Sequence, residues 1–379
     1  MMFLPTVFAA FLAAAQAVPL FDTDTNFIKF PVVSTNLAGG YSSTLARSMS
    51  SSVPATNENK VYVVTPTIGN QIVQLILDTG SSNLWVNATG KYVTTTTSHA
   101  TGRSFAIQYG SGRASGYQYI DEVRIGNLKV ARQSLGVANF TLGFRGVDGY
   151  PSLIFGVGPT SLSSGVVQGG DIVPTVLDNL CASKAISANV LGVYFKPLSR
   201  ANTNQNNGEI SLGGADHSKY KGVLKYAPIT RSSHYKEFWG IDINKVSNSG
   251  MVIGRNLHAI VDTGTTLTYL PDAVYYKFAN ANNGSRDSSS GLLAFGTKPK
   301  GILSITIGGR DFTLTPDQYL IPRFLYHYFE LDGDTRYFAW LAAIGYGADI
   351  EFILGQKFLE HYYSVYDATS KRVGLAASA

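Results

Sequence analysis

The chain has 379 residues, 45% of them hydrophobic and 15% charged, so it can bury a large core, has room for two domains, and is not a disordered polymer. Thirty Lys and Arg stand against 25 Asp and Glu, a formal charge of +5, but no dense basic run points to a nucleic-acid partner. The single cysteine, Cys181, rules out an intrachain disulfide framework and a cysteine-rich metal site.

In chain order, the opening "MMFLPTVFAAFLAAAQAVP" is an apolar run ending in the small-x-small pattern of Ala15 and Ala17, which reads as a signal peptide over residues 1–17. It lacks the usual basic residue before the apolar run. Residues 18–52, rich in Ser and Thr, read as a pro-segment and linker. From Val61 onward, short runs such as "VYVVTPTIGN", "FAIQYGSG" and "EVRIGNLKV" alternate apolar and polar residues between Gly, Asn and Asp turns, so most of the chain is expected to be β.

Short helices are expected in "VPTVLDNLCASKAI", which would make Cys181 a small buried residue, at "PDAVYYKFANA" after Pro271, and at "GQKFLEHY" after Gly355. A glycine-marked polar crossing divides the body near Gly222, giving lobes over 53–222 and 223–379. "YYSVYDATSKRVGLA" closes the second half as a strand pair. No later stretch is long and apolar enough for a membrane anchor, so a secreted product is expected, or one retained in an acidic vacuole-type compartment.

The chemistry gathers at a repeated design. "LILDTGSSNLWV" runs an apolar strand into Asp78, then Thr79, Gly80 and Ser81. "AIVDTGTTLTYL" does the same at Asp262, followed by Thr263, Gly264 and Thr265. The separation far exceeds the period of a solenoid or propeller, so a whole lobe is duplicated and each copy presents one acid at a strand end. One Asp-Thr-Gly alone is ordinary turn chemistry; two in matching contexts point to a pair.

Six scattered histidines, His99, His217 and His361 among them, form no H-E-x-x-H pair, and no G-x-S-x-G elbow is present. No metal or cofactor is expected. Sequons at Asn87, Asn139 and Asn283 would accept N-glycans in a eukaryotic secretory pathway.

From about Ser51 to Ala379 the chain resembles the pepsin-like aspartic proteases, and among them the disulfide-free fungal polyporopepsin-like members. "VPATN", "DTGSSNLWV", "YGSG", "GVDG", "GEISLGGAD", "APIT", "FWG", "IVDTGTTLT" and "YSVYD" fall in that family's order. The resemblance implies an all-β, bilobal acid-protease fold with pseudo-twofold related lobes and a central cleft. Asp78 and Asp262 would be the catalytic pair, working on a polypeptide substrate as a monomer. Carboxyls about 3 Å apart cannot both ionise cheaply and share a proton, aspartic proteases being the standard case.

The same likeness makes Ser81 and Thr265 the hydroxyls that orient the carboxylates, and Thr79 and Thr263 a brace across the lobes. It makes Tyr109, Gly110, Ser111 and Gly112 a flap over the substrate. Trp85 would pack beside Tyr109 or serve only the core, and Lys29 of the pro-segment would neutralise the pair before acid-triggered self-cleavage near 47–52.

One departure stands out. The family's Asp-Gly-Ile-Leu-Gly is here "GVDGYPSLIFGVGP", so Gly156 takes the glycine role only if residues including Pro151 are inserted after Gly149. "FILG", ending at Gly355, serves the second lobe without insertion. An insertion that distorts the support of the pair would favour a second reading, a pepsin-like binding or inhibitor protein with weak hydrolysis. A structural cell-wall role leaves the duplicated motif unexplained.

Overall fold

The computed structural model describes residues 28–36, 60–88, 92–110, 112–142, 153–199, 207–345 and 347–379. The proposed signal peptide, the 47–52 cleavage region, Ser111 and the insertion at 149–152 lie outside these residues. Strands dominate, with four short α-helices among the described residues, as the alternating apolar runs predict.

Each half builds its own sheet, and a third set of strands joins them. Tyr220–Pro228, Arg372–Ser378, Tyr362–Asp367, Val190–Phe195, Gly208–Leu212 and Ile28–Asn36 pair in that order, mixing strands from both halves. Gly222, at φ 74°, lies within the first of these strands, beside a register shift between Lys221 and Lys225. The expected terminal pair is present as Tyr362–Asp367 and Arg372–Ser378. Ile28–Asn36 was not anticipated: it pairs with Gly208–Leu212 at one end and with Lys60–Val64 at the other, linking the joining sheet to the first-half sheet.

The three anticipated helices form at Val176–Ala182, Asp272–Ala281 and Gln356–Leu359. The first starts at Thr175, whose hydroxyl accepts from the Asp178 N–H while Asp178 accepts from the Thr175 N–H, closing a capping box. Cys181 on that helix is half-buried, with its thiol free.

The duplicated motifs occupy matching places. Leu75–Asp78 and Leu153–Gly156 run parallel, with Gly156 opposite Asp78, and Leu153–Gly156 also pairs antiparallel with Leu84–Asn87. In the second half the end of Met251–Val261 runs parallel to Ile353–Leu354, which pairs in turn with Thr268–Tyr269. Leu75, Ile76 and Leu77 are fully buried, each burial worth roughly 1.5–3 kcal/mol, which anchors the strand that delivers Asp78.

The two glycines ending the crossing strands are required sterically. A Cβ on Gly156 would stand 2.5 Å from the Asn83 nitrogen, and one on Gly355 2.2 Å from the Leu267 carbonyl oxygen. Leu153–Gly156 therefore keeps its place beside Leu75–Asp78 after the insertion, and the distortion that would favour the second reading is not seen in this strand. The register from Leu153 to Gly156 is unbroken, and Val157 donates to the Asp78 carbonyl at 2.8 Å. The chain enters this strand through Leu153 at φ 135°, a conformation costly for a residue with a side chain.

Candidate active site between the lobes

Asp78 and Asp262 are both buried, and they lie close enough for each carboxyl to shift the proton affinity of the other. Around each, the same two donors recur. Gly80 N–H reaches Asp78 Oδ1 at 2.9 Å and Ser81 Oγ–H reaches Oδ2 at 2.5 Å. Gly264 N–H reaches Asp262 Oδ1 at 2.8 Å and Thr265 Oγ1–H reaches Oδ2 at 2.6 Å. Gly80 is required for close approach, since a Cβ there would stand 2.8 Å from the Asp262 carboxyl.

Beneath the pair the two threonines interlock. Thr79 N–H donates to Thr263 Oγ1 at 3.0 Å and Thr263 N–H donates to Thr79 Oγ1 at 2.9 Å. Each hydroxyl then donates across to the opposite strand, Thr79 to the Val261 carbonyl and Thr263 to the Leu77 carbonyl, at 3.0 and 2.8 Å. Four hydrogen bonds between residues far apart in sequence thus fix one carboxylate relative to the other.

The electrostatics follow from burial against hydrogen bonding. Loss of water raises Asp78, and the Ser81 hydroxyl and Gly80 N–H partly offset it. Asp262 is raised well above the usual carboxylate range by burial first and by the Asp78 charge second, with Thr265 and Gly264 opposing. The pair therefore holds a proton at pH values where isolated aspartates have lost theirs, and it titrates as a unit.

Above the pair hangs the hairpin of His99–Gln108 and Arg113–Ile125. Its turn is closed by Tyr109 N–H to the Gly112 carbonyl at 2.7 Å and includes Gly110. Trp85 Nε1–H donates to the Tyr109 hydroxyl at 2.6 Å, so Trp85 is tied to this hairpin rather than serving only the core. Burial first, then the Asp78 charge, pushes the Tyr109 phenol up, which keeps it neutral and available as a hydrogen-bonding group. A cavity of about 470 Å³ lies beside Gly80 and Ser81, bounded by this hairpin and, from the second half, by residues such as Phe238 and Ile350.

Three supporting residues escaped the sequence reading. Trp239, in the quoted "FWG", donates from Nε1 to the Val157 carbonyl at 3.2 Å and packs edge-on against Tyr366. Tyr366 is fully buried and its hydroxyl accepts from Ser364 Oγ–H at 3.3 Å. Gln356, just past Gly355, donates from Nε2 to the Thr263 carbonyl at 2.7 Å. Their types are unremarkable in sequence, and only contacts between distant segments reveal them. Lys29 is a correction: it forms an ion pair with Asp216 at 2.9 Å on the joining sheet, instead of neutralising the two aspartates.

A mainly β fold in two similar halves, with an aspartate delivered by each half to a shared cleft, defines a peptidase of the aspartic type. The chain belongs to the eukaryotic aspartyl protease family, whose sequence pattern it matches over residues 61–378. It is 40% identical over 338 residues to polyporopepsin of Irpex lacteus, covering 86% of this chain and 97% of that one. It is 32% identical over 345 residues to rhizopuspepsin-1 of Rhizopus niveus, covering 86% and 82%. The crystal structure of the aspartic proteinase from Irpex lacteus superposes with a TM-score of 0.79 at 35% identity, over 92% of this chain and 98% of that one. The protein is an aspartic-type endopeptidase of the pepsin-like kind, and its substrates are polypeptides.

Proposed function

We propose that the protein is a secreted endopeptidase that works in acid, with Asp78 and Asp262 as its catalytic residues and a water molecule as nucleophile. The observation that carries this reading is the matched setting of two buried carboxyls, each served by one backbone N–H and one hydroxyl and held together by the interlocked Thr79 and Thr263. A pair holding one proton contains a base and an acid together. The ionised member takes a proton from water held between them; the protonated member donates to the scissile carbonyl oxygen. Attack gives a tetrahedral intermediate with no covalent bond to the enzyme. The protonated carboxyl then donates to the leaving nitrogen while the other carboxylate takes a proton from a hydroxyl of the intermediate, so the C–N bond breaks, a carboxylic acid and an amine are released, and the pair is left singly protonated again.

Ser81 and Thr265 keep the carboxylates aimed, Thr79 and Thr263 fix their separation, and Gly80 and Gly264 bring the donating backbone close. The flap of Tyr109, Gly110, Ser111 and Gly112 closes over an extended polypeptide and excludes water from all but the reacting position. Residues 53–222 and 223–379 are the two catalytic lobes, and residues 1–17 direct export.

Residues 18–52 are a pro-segment whose strand Ile28–Asn36 occupies a place in the joining sheet, with the Lys29–Asp216 ion pair helping to seat it. Asn139 and Asn283 are exposed acceptors for N-glycans, and Asn87 is a half-buried one.

The test is the pH dependence of kcat/KM on an unstructured polypeptide, with hydroxylamine present in parallel. The reading predicts a bell in the acid range, because two protons on the pair leave no base and none leaves no acid. It also predicts that no hydroxamate forms, since no acyl-enzyme exists to be trapped. A rate that climbs steadily to neutral pH, or a trapped hydroxamate, overturns it.

A further inference from the structure

We infer that Gln356 is a positioning residue for Asp262, acting through the peptide unit between Thr263 and Gly264. That unit is planar, so its carbonyl and its N–H turn together. The N–H is the Gly264 donor to Asp262 Oδ1, at 2.8 Å. The carbonyl, on the opposite side, accepts the Gln356 Nε2–H at 2.7 Å. The glutamine thereby sets the angle at which a backbone dipole meets the aspartate, without touching the reacting atoms.

The platform behind Gln356 is held firmly. Its own N–H donates to the Thr265 carbonyl at 2.7 Å, and the Lys357 N–H to the Thr266 carbonyl at 3.0 Å. One residue further, the buried Lys357 Nζ pairs with Glu360 at 2.5 Å, and Glu360 also accepts from the Tyr62 hydroxyl of the first half at 3.0 Å. The short helix Gln356–Leu359 is thus fixed to both halves, and its first side chain presents a rigid donor.

The arrangement is asymmetric. The residue after Gly156, in the matching place of the first half, is Val157, which has no side-chain donor. Among the described residues, only the Asp262 half carries this tie. The amide is also held in an unfavourable place: Gln356 is fully buried, and its Oε1 has no hydrogen-bond partner among the described residues. Leaving such a group unsatisfied costs about 1–3 kcal/mol, a cost a leucine of similar volume would escape. A role confined to stability would favour the apolar side chain; a role in orienting the Thr263 carbonyl requires the donor.

This inference rests on the assignment of Asp78 and Asp262 as the reacting pair, and the experiment separates the two. Gln356→Leu, Gln356→Glu and Asp78→Asn are assayed for kcat and KM across the acid range, with thermal unfolding of each. Gln356→Leu is expected to lower kcat about tenfold at unchanged KM. It should also move the limbs of the pH profile upward, because a misaimed N–H stabilises the ionised carboxylate less.

Gln356→Glu supplies an O–H donor while protonated, so it should recover kcat in strong acid and lose it as pH rises through the carboxylate range, earlier than the parent enzyme. The ionisable groups tied to this helix are Asp262, through the Thr263–Gly264 peptide, Lys357 and Glu360 on the helix and its cap, Tyr62 bonded to Glu360, and His361 beside them. Lys357 is already engaged by Glu360, so it does not hold a new carboxylate in its charged form.

An unchanged pH profile in the leucine variant, with activity lost only in step with its folded fraction, overturns the inference. So does a glutamate variant that follows the parent profile. If Asp78→Asn abolishes cleavage while both Gln356 variants behave as parent, this inference alone fails. If Asp78→Asn cleaves normally, the assignment of the pair fails and this inference with it.

Discussion

Replacing Thr79 by Val removes one hydroxyl and keeps the shape, which isolates the brace beneath the two aspartates. That hydroxyl accepts from the Thr263 N–H and donates to the Val261 carbonyl, both in fully buried surroundings. The substitution leaves a donor and an acceptor without partners where water does not reach. At about 1–3 kcal/mol for each orphaned group, the loss of stability should be about 2–6 kcal/mol, with little cavity contribution because the volumes match. Thr79→Ser keeps the hydroxyl and gives up one methyl, so it should cost about 1 kcal/mol.

Urea unfolding followed by tryptophan fluorescence measures both, and a shifted midpoint at constant slope reports stability rather than altered compactness. Catalysis should suffer beyond the folded fraction, since the same bonds fix the separation of the carboxyls. A Thr79→Val protein within about 0.5 kcal/mol of the parent, the range of an ordinary surface substitution, would refute the idea that the threonines carry the junction between the halves.

Three further outcomes follow from the same geometry. Gly355→Ala places a Cβ 2.2 Å from the Leu267 carbonyl oxygen, and should yield little folded protein by circular dichroism. Trp85→Phe removes the donor to Tyr109, a bond worth about 0.5–1.5 kcal/mol, so kcat/KM should fall two- to tenfold in steady-state assays; an unchanged value would mean that the bond does not order the flap. Asp287, although burial alone would raise it, is held far below the usual range by the Ser289 hydroxyl, the N–H and hydroxyl of Ser290, and the Arg336 guanidinium. A depressed carboxylate contributes stability above its unfolded value, about 3.9, and loses it as pH falls toward its folded value. The difference in Tm between the parent and Asp287→Asn should therefore be full near neutrality and shrink in strong acid.

The parts of this protein legible in its sequence are those carried by short contiguous runs. Asp78 with its Thr-Gly-Ser and Asp262 with its Thr-Gly-Thr form complete local units, so strand, turn and donors can be read from a few letters each. Tyr109 was legible for the same reason, as part of a glycine turn between two alternating strands. Gly355 was visible as the end of an apolar run, whereas Gly156 was obscured by the extra residues before it, and only its register against Asp78 settles its place.

What sequence did not disclose depends on distant partners. Ile28–Asn36 contains Pro31 and sits in a Ser- and Thr-rich stretch, so its local signal is weak; pairing with Gly208–Leu212 and Lys60–Val64 makes it a strand. Lys29 illustrates the same limit, because a basic residue in such a segment gives no sign of which carboxylate it meets. Gln356, Trp239 and Tyr366 act on the site through single hydrogen bonds or ring contacts that no spacing rule encodes.

The central claim is that two aspartates sharing a proton perform the hydrolysis. The most direct measurement is cleavage of one unstructured polypeptide in acid by the parent, Asp78→Asn and Asp262→Asn enzymes, each shown to be folded and equally processed. The account predicts that either substitution alone lowers kcat by about 10²–10⁴-fold, since each removes half of a joint acid and base. Comparable cleavage by a folded variant lacking either carboxylate would contradict it.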